Sequence, residues 1–444
     1  MNYLHVRGTN GPLQGTIRVP PSKYHAHRAL IMGSLAAGAT RVIGHSNARH
    51  VQYTIRALRA LGTRIDVTPE GYVVHGGRYD PRKADVPFGS SGSTAYFMVG
   101  LGCLSEHGPV TFDAEMQLRN RPIAELLESL RLLGIRVEAS NNRLPVTVYP
   151  GLPKGGRIEI NGMLSQWVSG LLLVAPFATH DTTIQIVGEF NERHYVELTV
   201  RMMREFGIEI EQSPDERTWM VRHGQSYTAP ERLVLSSDVS SAAYGLVAAA
   251  IHPSDVLFTA TSSCEDHPER ELFNTLARMG APLNFKDHVR ELHVVTAGRR
   301  LRGTRIDCTD FPDALPALCV AAALAKGRTV LENVAHARRK ESDRVRASMQ
   351  LVQMGARMTA TENRIEIEGV DRLRATALSS FNDHRVLMSL AVAGTRTNGL
   401  TTLTFPNAYR ISYPDFLDDM NRLGLDMRIE RAERAYRLRE VVNA

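Results

Sequence analysis

The chain has 444 residues, a net charge of +6, 43% hydrophobic residues and only 6% aromatic ones. That length suits two or three domains with sizeable cores. Scattered cations with few aromatics argue against a nucleic-acid platform and suit a small anionic ligand.

Taken in order, the N-terminus (Met1 to Arg7) lacks the apolar core of a signal peptide. A helical pattern closing on a glycine, followed by a short strand pattern, then recurs six times. Its members end at Gly62, Gly134, Gly207, Gly280, Gly355 and Gly424, roughly 70 residues apart. Apolar residues three and four apart give each helix a buried stripe. The glycine fits the position just past a helix, where positive φ is easy. The alternation after it, as in Ile208-Glu209-Ile210-Glu211, reads as a half-buried strand.

A second pattern lies within these units, a polar start leading into a small-residue helix. Gly89-Ser90-Ser91-Gly92-Ser93, Ser236-Ser237-Asp238-Val239-Ser240-Ser241 and Asp313-Ala314-Leu315-Pro316 are examples. Such helices pack closely, and their N-termini offer N–H groups to anions; any one alone reads as an ordinary capped core helix. Six units divide as three plus three, with the polar segment Arg217 to Leu235 before the fourth. This predicts two similar α/β domains of about 200 residues each, with a ligand cleft between them. The tail from Ile429 to Val442 reads as an extra charged helix. The apolar runs Leu171 to Pro176 and Leu246 to Ile251 are too short to span a bilayer. Cys103, Cys264, Cys308 and Cys319 stand far apart without CxxC pairing, as reduced thiols of a cytoplasmic protein do.

Three charged clusters stand out: Phe311-Pro312-Asp313, Lys340-Glu341-Ser342-Asp343-Arg344 and Asn382-Asp383-His384-Arg385. They read either as salt-bridged loops or as a site that grips a small polyanion and moves protons beside it.

These clusters complete a series that runs through nearly the whole chain. Pro21-Ser22-Lys23, His27-Arg28-Ala29-Leu30, Gly89-Ser90-Ser91-Gly92-Ser93, Arg121-Pro122-Ile123, Ser165-Gln166 and Ser240-Ser241-Ala242 precede them in order. The series resembles the enolpyruvyl transferases, on their EPSP synthase side. The resemblance implies an inside-out α/β barrel fold: two similar domains of three βαβαββ repeats each, residues 20–234 against 1–19 with 235–444, and an active site in the interdomain cleft. It implies transfer of the enolpyruvyl group of phosphoenolpyruvate to a hydroxyl of a small anionic acceptor, in a monomer without metal, cofactor, nucleic acid or membrane.

The resemblance also implies roles. Lys23, Gly92, Arg121, Arg344, Arg385 and Arg410 would hold phosphoenolpyruvate. Glu341 would exchange a proton at the methylene carbon and Asp313 would take the acceptor's hydroxyl proton. Lys340 would lie near that hydroxyl and Lys23 near the leaving phosphate, and His384 joins them as catalytic. The acceptor would meet Tyr24, Arg28, Ser165, Gln166, Glu192, Tyr195, Asp313 and Lys340. Each residue also has a plainer reading: Asp313 as a helix cap, Glu341 and Arg344 as an i,i+3 surface pair, His384 as a core histidine, Arg28 and Arg121 as structural.

The departures gather on the acceptor side. Tyr24 stands where the family has Ser or Thr, Leu164-Ser165 replaces a serine pair, and Glu192 replaces a phosphate-binding serine beside Arg193. A carboxylate there repels a phosphate unless Arg193 offsets it. Arg49-His50 replaces an acidic pair, and Ile411 stands for a lysine, with Arg410 adjacent as a substitute. Met116 occupies the place of the sister enzyme's reactive cysteine. An altered acceptor follows, such as a nucleotide like UMP in nucleoside-antibiotic assembly, with Tyr24 packing or stacking on a flat ring. The alternatives are a genuine EPSP synthase, a shikimate-type dehydratase or lyase, or a non-catalytic anion-binding relative.

Overall fold

The computed structural model describes residues 2–81 and 85–431. All six repeat glycines lie in the left-handed region, with φ between 79° and 96°. In each, the glycine N–H bonds three residues back and the next N–H reaches five back. Gly62 to Arg59 (3.1 Å) with Thr63 to Leu58 (3.0 Å), and Gly280 to Ala277 (2.8 Å) with Ala281 to Leu276 (2.9 Å), are two of the six. This double bond closes the last turn only if the residue between takes positive φ, which glycine does at least cost. The helices so ended include Arg49–Ala60, Ala124–Leu132, Arg193–Glu205, Glu271–Arg278 and Phe416–Arg422. The fifth repeat differs: a short helix, Arg344–Ser348, runs into a 3-10 stretch, Met349–Val352.

Among the described residues, the strands form six four-stranded sheets of one pattern. Gly156–Gly162 is parallel to Thr182–Phe190, which is antiparallel to Thr218–Val221, which is antiparallel to Ile210–Gln212. A parallel pair needs a crossover, and the inner helix Ser165–Val174 supplies it. Three sheets borrow a strand from far along the chain. Leu233–Val234 completes the sheet of Ala39–Ile43. Leu13–Arg18 pairs with Pro253–Thr259, and Asn2–Arg7 lies between Leu400–Leu403 and Asp426–Arg431. The first twenty residues are therefore part of the second half's fold. The two compact units are Met1–Pro20 with Ser237–Glu265 and Glu269–Ala444, and Pro21–Ser236 with Asp266–Pro268.

Each unit has its own apolar core, in which each fully buried Leu or Val contributes roughly 1.5–3 kcal/mol. The inner helices are Lys23–Leu35, Gly92–Met98 and Ser165–Val174 in one unit, and Val239–Ile251, Leu315–Ala323 and His384–Gly394 in the other. They are buried nearly all round, and small residues permit it. A Cβ on Gly170 would run into the backbone carbonyl of Tyr96 on the neighbouring helix. Four of their polar starts are caps: Ser22, Ser91, Asp238 and Asp383 accept the N–H of His25, Thr94, Ser241 and Arg385.

One expectation needs correction. Ile429 to Arg431 end the strand Asp426–Arg431 rather than start a helix, because pairing with Asn2–Arg7 satisfies their backbone; the rest of that tail lies outside the described residues. The polar segment Arg217 to Leu235 contains the strands Thr218–Val221 and Leu233–Val234.

Candidate active site

In the unit that contains Lys340 to Arg344, Arg344 is the centre of an ion cluster. It opens the helix Arg344–Ser348, with Asp343 as cap. Its three guanidinium nitrogens each meet a different carboxylate: Nη1 to Asp313 at 2.5 Å, Nη2 to Glu341 at 2.6 Å and Nε to Asp383 at 3.0 Å. The Arg344 side chain is 1% exposed, against 10% for Asp313 and 12% for Glu341. Burial alone would depress its pKa, but Asp383, Glu341 and Asp313 outweigh that and hold it well above the ordinary arginine value. Arg385 takes the second oxygen of Asp313 at 2.8 Å and donates to the Tyr244 hydroxyl at 3.2 Å. Burial pushes that phenol up to about 12 against the pull of Arg385.

Asp383 is shared three ways. One oxygen accepts from Arg344 and from Ser342 Oγ (3.0 Å), and the other caps the helix His384–Gly394 through the Arg385 N–H. Asp313 makes no side-chain cap: it sits in the 3-10 turn Pro312–Ala314 and spends both oxygens on arginines. The i,i+3 pair of Glu341 and Arg344 forms, but within this buried cluster rather than on a surface. Lys340 follows the 3-10 turn Ala335–Arg339 and is half-buried.

His384 is fully buried at the first turn of its helix, its Nδ1 3.8 Å from Asp383. Arg410 is not gathered into the cluster. It is exposed, against the Tyr409 ring and hydroxyl, while Ile411 is buried. Both lie on the 3-10 turn Ala408–Ile411.

The other unit carries a second set. A Cβ on Gly92 would come within 2.5 Å of Arg121 Nη1, so the missing side chain is what lets the guanidinium lie on the loop. Arg121 also covers the Tyr96 ring at 5.4 Å. Gln166 donates to Ser93 at 2.9 Å, and Ser165 donates to Glu192 at 2.7 Å. Glu192 is buried and left-handed, with φ 60°, a conformation that costs a non-glycine residue energy. Arg193 reaches Glu197 and Glu216, each at 3.5 Å. His50 lies 3.4 Å from Ser90.

Lys23 Nζ stands 4.9 Å from the Tyr24 ring centroid, and that ring packs edge-on against Tyr195 (5.1 Å) and His267 (5.3 Å). Tyr24 is thus buried among protein rings. Arg28 donates to Thr199, to the Tyr24 carbonyl and to the Tyr195 carbonyl at 2.8, 3.1 and 2.8 Å, under the Phe97 ring. Burial lowers its pKa to about 9. It ties the helix Lys23–Leu35 to the helix Arg193–Glu205.

Some residues had no assigned role. Asp383 lies inside a noted motif, yet its triple sharing is visible only in space. His25, between Ser22 and Asp266, and Glu269, which accepts the Asp313 and Ala314 N–H groups, lack a local signal. Among the described residues, no three His, Cys, Asp or Glu gather as a metal site, and no helix is long and apolar enough to cross a membrane.

This architecture is that of the enolpyruvyl transferases. EPSP synthase from Acinetobacter baumannii shares it with a TM-score of 0.81 at 27% identity, over 97% of this chain and 100% of that one. The enolpyruvyl transferase NikO from Streptomyces tendae shares the fold with a TM-score of 0.79 at 19% identity, over 97% and 99%. Residues 8–420 match the family model of EPSP synthase (3-phosphoshikimate 1-carboxyvinyltransferase). The 3-phosphoshikimate 1-carboxyvinyltransferase of Acetivibrio thermocellus is 35% identical over 418 residues, 93% of this chain and 96% of its own. That of Methanococcus aeolicus is 30% identical over 427 residues, 94% and 98%. The chain belongs to the EPSP synthase family and is an enolpyruvyl transferase.

Proposed function

We propose that the protein moves the enolpyruvyl group of phosphoenolpyruvate onto a hydroxyl of a small anionic acceptor other than shikimate 3-phosphate, a nucleotide such as UMP being one such acceptor. Arg121, Arg344, Arg385 and Lys23 bind the phosphate and carboxylate of phosphoenolpyruvate, guanidinium forks matching both groups. Glu341 gives a proton to the methylene carbon, Asp313 takes the acceptor's hydroxyl proton, and the oxygen attacks the resulting cationic carbon. The tetrahedral adduct loses phosphate, a methyl proton returns to Glu341, and the enol ether forms.

The observation that carries the reaction is one guanidinium holding Asp313 and Glu341 at 2.5 and 2.6 Å. Three carboxylates meet two guanidiniums in this cluster, so an arriving anion favours protonation of a carboxylate. The altered acceptor is supported by Glu192, whose buried carboxylate accepts the Ser165 hydroxyl at 2.7 Å and disfavours a phosphate beside it.

The second reading is EPSP synthase itself, the name that the curated relatives carry. Phosphate release from phosphoenolpyruvate, measured with shikimate 3-phosphate and with UMP, separates the two. Faster turnover of shikimate 3-phosphate than of any nucleotide sinks the altered acceptor.

A further inference from the structure

We propose that Glu269 is a positioning residue for Asp313, a role that rests on the reading of Asp313 as proton acceptor. Glu269 is fully buried. One carboxylate oxygen accepts the N–H of Asp313 at 3.1 Å and the other the N–H of Ala314 at 2.9 Å. These two N–H groups belong to the 3-10 turn Pro312–Ala314 that leads into the helix Leu315–Ala323. At a helix start such donors have no partner within the helix.

Asp313 is thereby fixed from two sides. Arg344 and Arg385 hold its side-chain oxygens, and Glu269 holds its backbone. A carboxylate that has to meet one particular hydroxyl proton depends on both, since the arginines can follow a shifted backbone while the substrate cannot. Only a carboxylate presents two acceptor oxygens to two consecutive N–H groups. Glutamine at this place would turn its NH2 toward one of the donors, leaving a buried N–H unsatisfied and the turn displaced. The residue lies 44 positions before Asp313, so this is a tertiary hold and not a local cap.

The test compares Glu269→Gln and Glu269→Asp with the parent and with Asp313→Asn, using phosphoenolpyruvate with whichever of shikimate 3-phosphate and UMP is turned over faster. Glu269→Gln is expected to lose about 10²-fold in kcat, the effect of a misplaced catalytic group, with the KM for phosphoenolpyruvate within a few-fold of the parent. Glu269→Asp, which keeps both oxygens on a shorter arm, recovers part of that loss. Parental kcat in folded Glu269→Gln, beside a loss in Asp313→Asn, overturns the positioning role alone. If Glu269→Gln fails to fold, Glu269→Asp decides, a parental kcat overturning the role and a reduced kcat at unchanged KM supporting it. Parental turnover in Asp313→Asn overturns the reading of Asp313 beneath it.

Discussion

Arg344 is a single buried cation bonded to three carboxylates, and its removal takes a guanidinium partner from each of them. Replacing it with Met is expected to cost about 3–5 kcal/mol of stability, the usual result of leaving buried charge unpaired; urea unfolding measures this. Asp313→Asn and Glu341→Gln keep the shape of the side chains while removing the proposed proton acceptor and proton donor. Turnover should fall by about 10²–10⁴-fold in each, with the fold kept by circular dichroism. Unchanged ligand-dependent function in both would mean a binding protein, not a catalyst. On the proposed reading of Glu192 as acceptor-facing, Glu192→Ser replaces a buried charge by a hydroxyl. A gain on the order of 10-fold in kcat/KM for shikimate 3-phosphate is expected, about the worth of one hydrogen bond to a charged group.

The helix ends test the repeat. Gly280 has φ 93° and open space where a Cβ would stand. Gly280→Ala therefore isolates the backbone term and should cost about 1–2 kcal/mol without changing kcat. Gly170→Ala probes packing instead, because the new methyl meets the rigid carbonyl of Tyr96. It should lower thermal stability more than Gly280→Ala does. The repeat was readable in the sequence because each Schellman turn demands positive φ at one place, which marks the chain with glycine at a fixed offset from an apolar stripe. The shortened fifth helix was not readable, since Met349 to Val352 carries the same apolar spacing as a regular helix.

For the whole molecule, buried histidines set an acid limit. His252 is fully buried, its Nε2 2.9 Å from the Thr395 hydroxyl. Burial, helped by Arg396, lowers its pKa from 6.5 to about 3. His27, also fully buried, is shifted the same way by burial and by Lys23. A histidine whose folded pKa lies below its unfolded one takes up its proton first in the unfolded chain. Its contribution is fully present above about pH 6.5 and is lost as the pH falls toward about 3. For His252 alone, about 2 kcal/mol should vanish between pH 7.5 and pH 5. Chemical unfolding at the two values measures the loss, and His252→Asn should flatten the slope.

The sequence by itself determined the repeat number and the clusters that hold Asp313, Glu341, Arg344 and Arg385, because backbone geometry and charge leave local marks; the class of reaction came from the family resemblance that those clusters complete. Only the tertiary structure decided how those groups are shared. The bonds of Arg28 to Thr199, Tyr24 and Tyr195 join groups distant in the chain. The turn that leaves Arg410 at the surface and buries Ile411 is likewise a tertiary outcome. Glu269 and Asp383 take their parts from partners 44 and 39 residues away. Whether an ionised side chain serves a ligand or the scaffold depends on what stands around it, and linear order does not encode that neighbourhood.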